Sequence, residues 1–114
     1  MKAFSTEQNA MGVISYNEDV LKTMTGMAIS RVDGVAGIEG SGNILTRKNL
    51  SQINKIFMED KKVNIDLSIV VEYGLPLRET AQKVQREVRE MIGTMTDLNV
   101  GAINITVAGL DIKD

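Results

Sequence analysis

The stretch Val63-Asn64-Ile65-Asp66-Leu67-Ser68-Ile69-Val70-Val71-Glu72-Tyr73-Gly74 decides the fold. Val63, Ile65, Leu67, Ile69 and Val71 alternate with Asn64, Asp66, Ser68 and Val70, the period of two that sends successive side chains to opposite faces of a strand. Tyr73 extends the apolar row and Gly74 ends it. A strand with one apolar face needs a cover, and the next residues supply it. Pro76 stands where the first turn of a helix tolerates proline. Leu77, Ala81, Val84, Val88, Ile92 and Met95 then recur at spacings of 4, 3, 4, 4 and 3, a single apolar stripe on a helix. Glu79 and Lys83 add a favourably oriented i, i+4 pair, and Gly93 lies near the helix end. Ile103, Ile105 and Val107, alternating with Asn104 and Thr106, predict a last strand closed by Gly109.

Working upstream, Met11 to Ile14 reads as a short strand, and the polar residues 1–10 before it as a mobile tail. Ser15-Tyr16-Asn17-Glu18 fits a capping box, with Glu18 reaching back to the serine. Val20, Leu21, Met24, Met27, Ala28 and Val32 then predict an amphipathic helix that stops at Asp33-Gly34. Gly26 within it suggests close packing against a sheet. Val35 to Ile38 predicts a second strand, followed by the glycine-rich turn at 40–43. In 44–62, Leu50, Ile53, Ile56 and Phe57 have the spacing of a short helix capped by Asn49. The expectation is an α+β two-layer sandwich: a small mixed or antiparallel sheet of about four strands, packed by two amphipathic helices. It forms one domain over residues 11–112.

Composition narrows the chemistry. The chain has 114 residues, 43% hydrophobic, with a net charge of −2 and neither cysteine nor histidine. Disulfides, zinc-thiolate sites, thiol nucleophiles and imidazole bases are therefore excluded. With Phe4, Phe57, Tyr16 and Tyr73 as the only aromatics, a base-stacking platform for single-stranded nucleic acid is not expected. The first ten residues lack a signal-peptide core and no strictly apolar run exceeds three residues, far below the ~20 that span a bilayer. The sequence predicts a cytoplasmic protein without membrane insertion.

The glycine motifs carry little. Gly37 to Gly42 has the outer spacing of a phosphate loop, but Asn43 stands where the lysine is required and Glu39 sits inside the cradle. Gly37-Ile38-Glu39-Gly40 matches the GxxG of KH-type RNA-binding loops, without their helical flanks or neighbouring cations. Charge is uneven: residues 43–62 hold five basic side chains (Arg47, Lys48, Lys55, Lys61, Lys62) against two acidic ones, between two acidic flanks. Weak nucleic-acid binding through this segment is the alternative function, though it lacks interleaved aromatics and a broad footprint. Asp66 and Glu72 share a strand face ~20 Å apart by strand rise and cannot act as a pair. Asp19, Asp33, Asp97 and Asp111 are explained as caps and turns. No catalytic residue, metal site or cofactor is predicted. On the second helix, Arg78, Gln82, Gln85 and Arg89 fall at i, i+4, i+7 and i+11, one row beside the apolar stripe, and form the candidate partner-binding surface.

Taken in order, these pieces resemble the alkaline shock protein family, the Gls-type general-stress family of Gram-positive bacteria. The resemblance starts at Met11-Gly12-Val13-Ile14 and Val32-Asp33-Gly34-Val35. It runs through Asn64 to Gly74, the helix with Ala81, Val84-Gln85 and Val88, and Met91 to Val100, and ends in Ile103 to Leu110. Asp97 replaces a glycine frequent in the family, and residues 40–62 match nothing in it. The resemblance implies a non-catalytic cytosolic protein of envelope homeostasis that works through protein partners. These would be a small membrane-anchored protein holding it at the inner membrane face, or an enzyme of fatty-acid metabolism; self-association into homo-oligomers is also implied.

Overall fold

In the computed structural model, residues 3–9 (as backbone), 11–37 and 50–112 are described. Their elements are β1 (Ala3–Asn9), β2 (Gly12–Asn17), α1 (Glu18–Ser30), β3 (Gln52–Glu59), β4 (Lys62–Glu72), α2 (Leu77–Met95) and β5 (Asn99–Asp111). β4 is central in a mixed sheet of order β3-β4-β5, antiparallel to β3 and parallel to β5. Its inner row, Val63 to Val71 in steps of two, is at most 1% exposed. α2 returns the chain from β4 to the parallel strand β5 and buries Val84, Val88, Met91 and Ile92. α1 contributes Leu21, Met24, Ala28 and Ile29 to the same core. The expected α+β arrangement of two helices on a small sheet is what forms.

Several expectations change in detail. Residues 52–59 form strand β3 rather than part of a helix, and a bulge explains the misleading spacing. The register passes from Ile53↔Leu67 to Lys55↔Asp66 and Ile56↔Ile65, so Asn54 is an extra residue. Ile53 and Ile56 therefore face the core although three residues apart, as they would on a helix. The β3–β4 turn was equally hard to see. Asp60 and Lys61 both hold positive φ, 50° and 64°, the conformation of a two-residue hairpin turn usually signalled by Asn-Gly.

At the amino end, residues 3–9 are not a free tail but strand β1, paired antiparallel with β2 in a separate two-stranded sheet. Strand pairing uses backbone groups that a polar segment owns as fully as an apolar one, so no side-chain alternation announces it. β2 runs on to Asn17, which puts Ser15 inside the strand. Asn17 is the N-cap, without a side-chain capping bond, and the expected capping box is not formed. Glu18 and Asp19 still complement the positive helix end. Val20 and Met27 are exposed rather than buried. Among the described residues, the i, i+4 ion pair is Lys22–Glu18 at 3.3 Å rather than Glu79–Lys83. Past α1, Gly34 takes a φ of +84° and Val35 makes a single antiparallel bridge to Val71, in place of the predicted strand. Ile38, the turn at 40–43, and Arg47 and Lys48 lie outside the described residues.

The Tyr16 hydroxyl donates to Asp97 Oδ1 at 3.0 Å, fastening the end of β2 to the α2–β5 turn. That hydrogen bond, then desolvation and the carboxylate charge, raises Tyr16 above the ordinary tyrosine value of 10.0. The bond's contribution is complete below the unfolded pKa and is lost as pH rises through the higher folded one. In a Tyr73→Phe chain the tyrosinate absorbance should titrate above 10.0, and adding Asp97→Ala should return the midpoint to that value. An unmoved midpoint would show that the contact is not made in solution.

Candidate interaction surface

α2 ends where Thr96 Oγ1 donates to Ile92 O at 2.7 Å and accepts from Leu98 N at 3.1 Å. Leu98 is buried, and β5 begins at once, so the strand runs back along the helix that precedes it. This short return divides the predicted row. Gln85 Nε2 donates to Ile103 O at 3.0 Å. The Arg89 guanidinium donates to Val100 O at 2.9 Å and Gly101 O at 3.1 Å. Those two side chains are stitched to β5. Arg78 and Gln82, nearer the start of the helix, are exposed to solvent. The sequence spacing placed all four on one face but carried no signal that the lower half would meet strand carbonyls.

Exposed apolar side chains lie on the elements that end or begin near the exposed half of the row. β4 and β5 are parallel, so their carboxyl ends lie together, and Tyr73 N donates to Asp111 O at 2.9 Å. The four-residue connection brings the start of α2 to the same end. Tyr73, expected to face inward, is 66% exposed because the strand stops at Glu72; Ile112 is 68% exposed, and Leu77 and Leu110 are also exposed. Arg78 follows Leu77 directly.

The sheet face away from the helices is polar and internally matched. Asn54 donates to Ser68 Oγ at 2.7 Å, Asn104 to Asp66 Oδ1 at 2.9 Å, and the Ala102 amide to Asn64 Oδ1 at 2.8 Å. At Gly101 a Cβ would lie 2.5 Å from Asn64 Oδ1 and 2.6 Å from the Lys62 stem, so a larger residue there would make those side chains shift. The Lys55 ammonium sits 4.9 Å from the Phe57 ring centre. In the β3–β4 ladder Lys55 lies opposite Asp66 and Lys62 opposite Glu59. The described strand lysines of the basic segment thus each have a carboxylate in register, which weakens the phosphate footprint nucleic acid would need. Among the described residues no group of three acidic side chains is close enough to hold a metal ion.

One residue the sequence reading passed over organises this end of the sheet. Ser51 is fully buried; its hydroxyl donates to Ala36 O at 2.7 Å and accepts from Val70 N at 3.1 Å. Nothing in its sequence neighbourhood distinguishes it.

Comparison with known proteins supplies the remaining context. Residues 6–112 match the profile of the alkaline shock protein (ASP23) family, described as having a cell envelope-related function. The chain is 28% identical over 109 residues to the uncharacterized protein YqhY of Bacillus subtilis, covering 91% of this chain and 81% of that one. It is 28% identical over 110 residues to the uncharacterized protein YloU of the same organism, covering 90% and 92%. A stress response regulator gls24 homolog of Streptococcus pyogenes is 26% identical over 109 residues, 90% of this chain but 61% of that protein. No solved structure matches. With the family profile spanning nearly the whole chain, this protein belongs to the alkaline shock protein (ASP23) family.

Proposed function

We propose that this chain is a non-catalytic interaction protein of the cell-envelope stress response, and that it binds a protein partner through the end of the sheet where Tyr73, Leu77, Arg78, Gln82, Leu110 and Ile112 meet. The observation that carries the reading is this exposed apolar group with arginine beside it. Aromatic and arginine anchors dominate binding energy at protein interfaces, and an apolar group rimmed by polar side chains marks such a surface. The family description, a cell envelope-related function, and the name of the streptococcal relative, a stress response regulator, support this reading. None of the described helices is long and apolar enough to cross a membrane. Action at the inner membrane face through a partner is part of this reading. A small membrane-anchored protein and an enzyme of fatty-acid metabolism are the two kinds the family resemblance suggests.

Crosslinking in native cells, with mass-spectrometric identification, tests this directly. The parent chain should capture a defined protein, and Tyr73→Glu with Arg78→Glu should reduce that capture at least tenfold while leaving the circular dichroism spectrum unchanged. Undiminished capture by the variant would place the partner elsewhere on the molecule. Capture of no protein by the parent would overturn the function itself.

A further inference from the structure

We propose that Arg89 and Gln85 close the outer edge of β5 against strand addition by a second copy of this chain. β5 is an edge strand and, at 13 residues, longer than β3 or β4. From Asn99 to Leu110 it contains no charged side chain. Exposed edges present unpaired backbone groups to other chains, and proteins ordinarily blunt them with charge, bulges or a covering element. The opposite edge, β3, has the first two: Lys55 along the strand and the bulge at Asn54. Along Asn99 to Leu110 β5 has no charge to use, its one acidic residue being Asp111 at the very end. Its register breaks between Val100 and Ile103 and again between Val107 and Gly109, leaving Ile103 to Val107 as the regular run a new strand would read.

The bonds from α2 fall on the approach to that run. Gln85 takes the Ile103 carbonyl at its start, and Arg89 takes Val100 and Gly101 just before it. The Ile103 carbonyl is an acceptor at the start of the run an incoming strand would read, and Arg89 holds the two carbonyls that lead into it. The occupant excluded is a second β5. Two copies of an uncharged segment can pair antiparallel about a two-fold axis without opposing like charges.

The absence of cysteine makes the test clean. A Thr106→Cys reporter on exposed β5 is compared in the parent and in an Arg89→Ala/Gln85→Ala background, with Thr23→Cys on α1 as the remote control. Removing the two side chains should double the mass seen by light scattering. It should also raise Thr106→Cys crosslinking by a short bismaleimide at least tenfold, with Thr23→Cys unchanged. An unaltered mass and crosslinking rate would overturn the proposal, as would equal gains at both reporters, which signal unspecific aggregation. If the double variant does not fold, Arg89→Ala alone, which leaves Gln85 in place, decides by the same comparison.

Discussion

Replacing Leu67 by alanine should lower the unfolding free energy by about 3–4 kcal/mol, within the range for buried leucine truncations. Leu67 is 1% exposed at the middle of the central strand, with Ile53 and Ile105 in register on either side. Backbone flanks it on both sides, and α2 closes the layer above, so the vacated volume cannot collapse easily. At about 4–8 °C per kcal/mol for a domain near this size, the midpoint should fall by more than 10 °C. Denaturant unfolding followed by circular dichroism measures it. Tyr73→Ala provides the contrast. It belongs to the same alternating row in the sequence but lies past the strand end in solvent, and should change stability by no more than about 0.5 kcal/mol. Similar losses for the two variants would refute this division of the row.

The contrast between Leu67 and Tyr73 also shows where the sequence was readable. Periodicity reports a face, and it was reliable where that face was regular: β4, the middle turns of α2 and the inner positions of β5, but not at Leu77 and Met95, the exposed ends of the predicted α2 stripe. It fails where geometry interrupts the repeat. One extra residue at Asn54 gives β3 a three-residue spacing that imitates a helix, and positive φ at Asp60 and Lys61 makes a tight turn without asparagine or glycine. Strand pairing runs through backbone groups, so the pairing of β1 with β2 had no side-chain alternation in residues 3–9 to announce it. The candidate surface was half legible for a related reason. Helical spacing put Arg78, Gln82, Gln85 and Arg89 in one row, but which of them reaches a carbonyl depends on how closely β5 follows α2, and that distance is tertiary.

On the proposed reading, one helix serves two purposes along its length. Its start carries exposed side chains beside an apolar patch, while its later turns hold down the strand that follows. Partner-binding variants should therefore be drawn from Tyr73, Arg78 and Gln82. Changes at Gln85 or Arg89 alter the β5 edge as well, so a binding defect there has two explanations.

Ser51→Ala should cost about 1–3 kcal/mol although it removes a single oxygen. The Ser51 hydroxyl joins two backbone groups outside the strand ladders: among the described residues the segment after Gly34 bridges β4 at Val35↔Val71, and β3 begins only at Gln52. Ala36 N donates to Val70 O at 2.9 Å and Ser51 N to Gly37 O at 2.9 Å, which leaves the Ala36 carbonyl and the Val70 amide to the serine. Alanine would leave the buried Val70 amide unsatisfied and take the donor from the part-buried Ala36 carbonyl, and a buried unsatisfied group carries a penalty of about 1–3 kcal/mol. Thr25 is the informative comparison, since it too is fully buried and its hydroxyl donates to Leu21 O at 2.8 Å. That carbonyl lies inside α1, where the helix supplies its own donor, so Thr25→Val should be close to neutral. Hydrogen exchange separates the two cases by site. The Val70 amide should lose protection in Ser51→Ala, whereas Thr25→Val should leave the α1 amides as they were. A Val70 amide that kept its protection would mean another donor–acceptor arrangement closes the gap between β3 and the Gly34 loop.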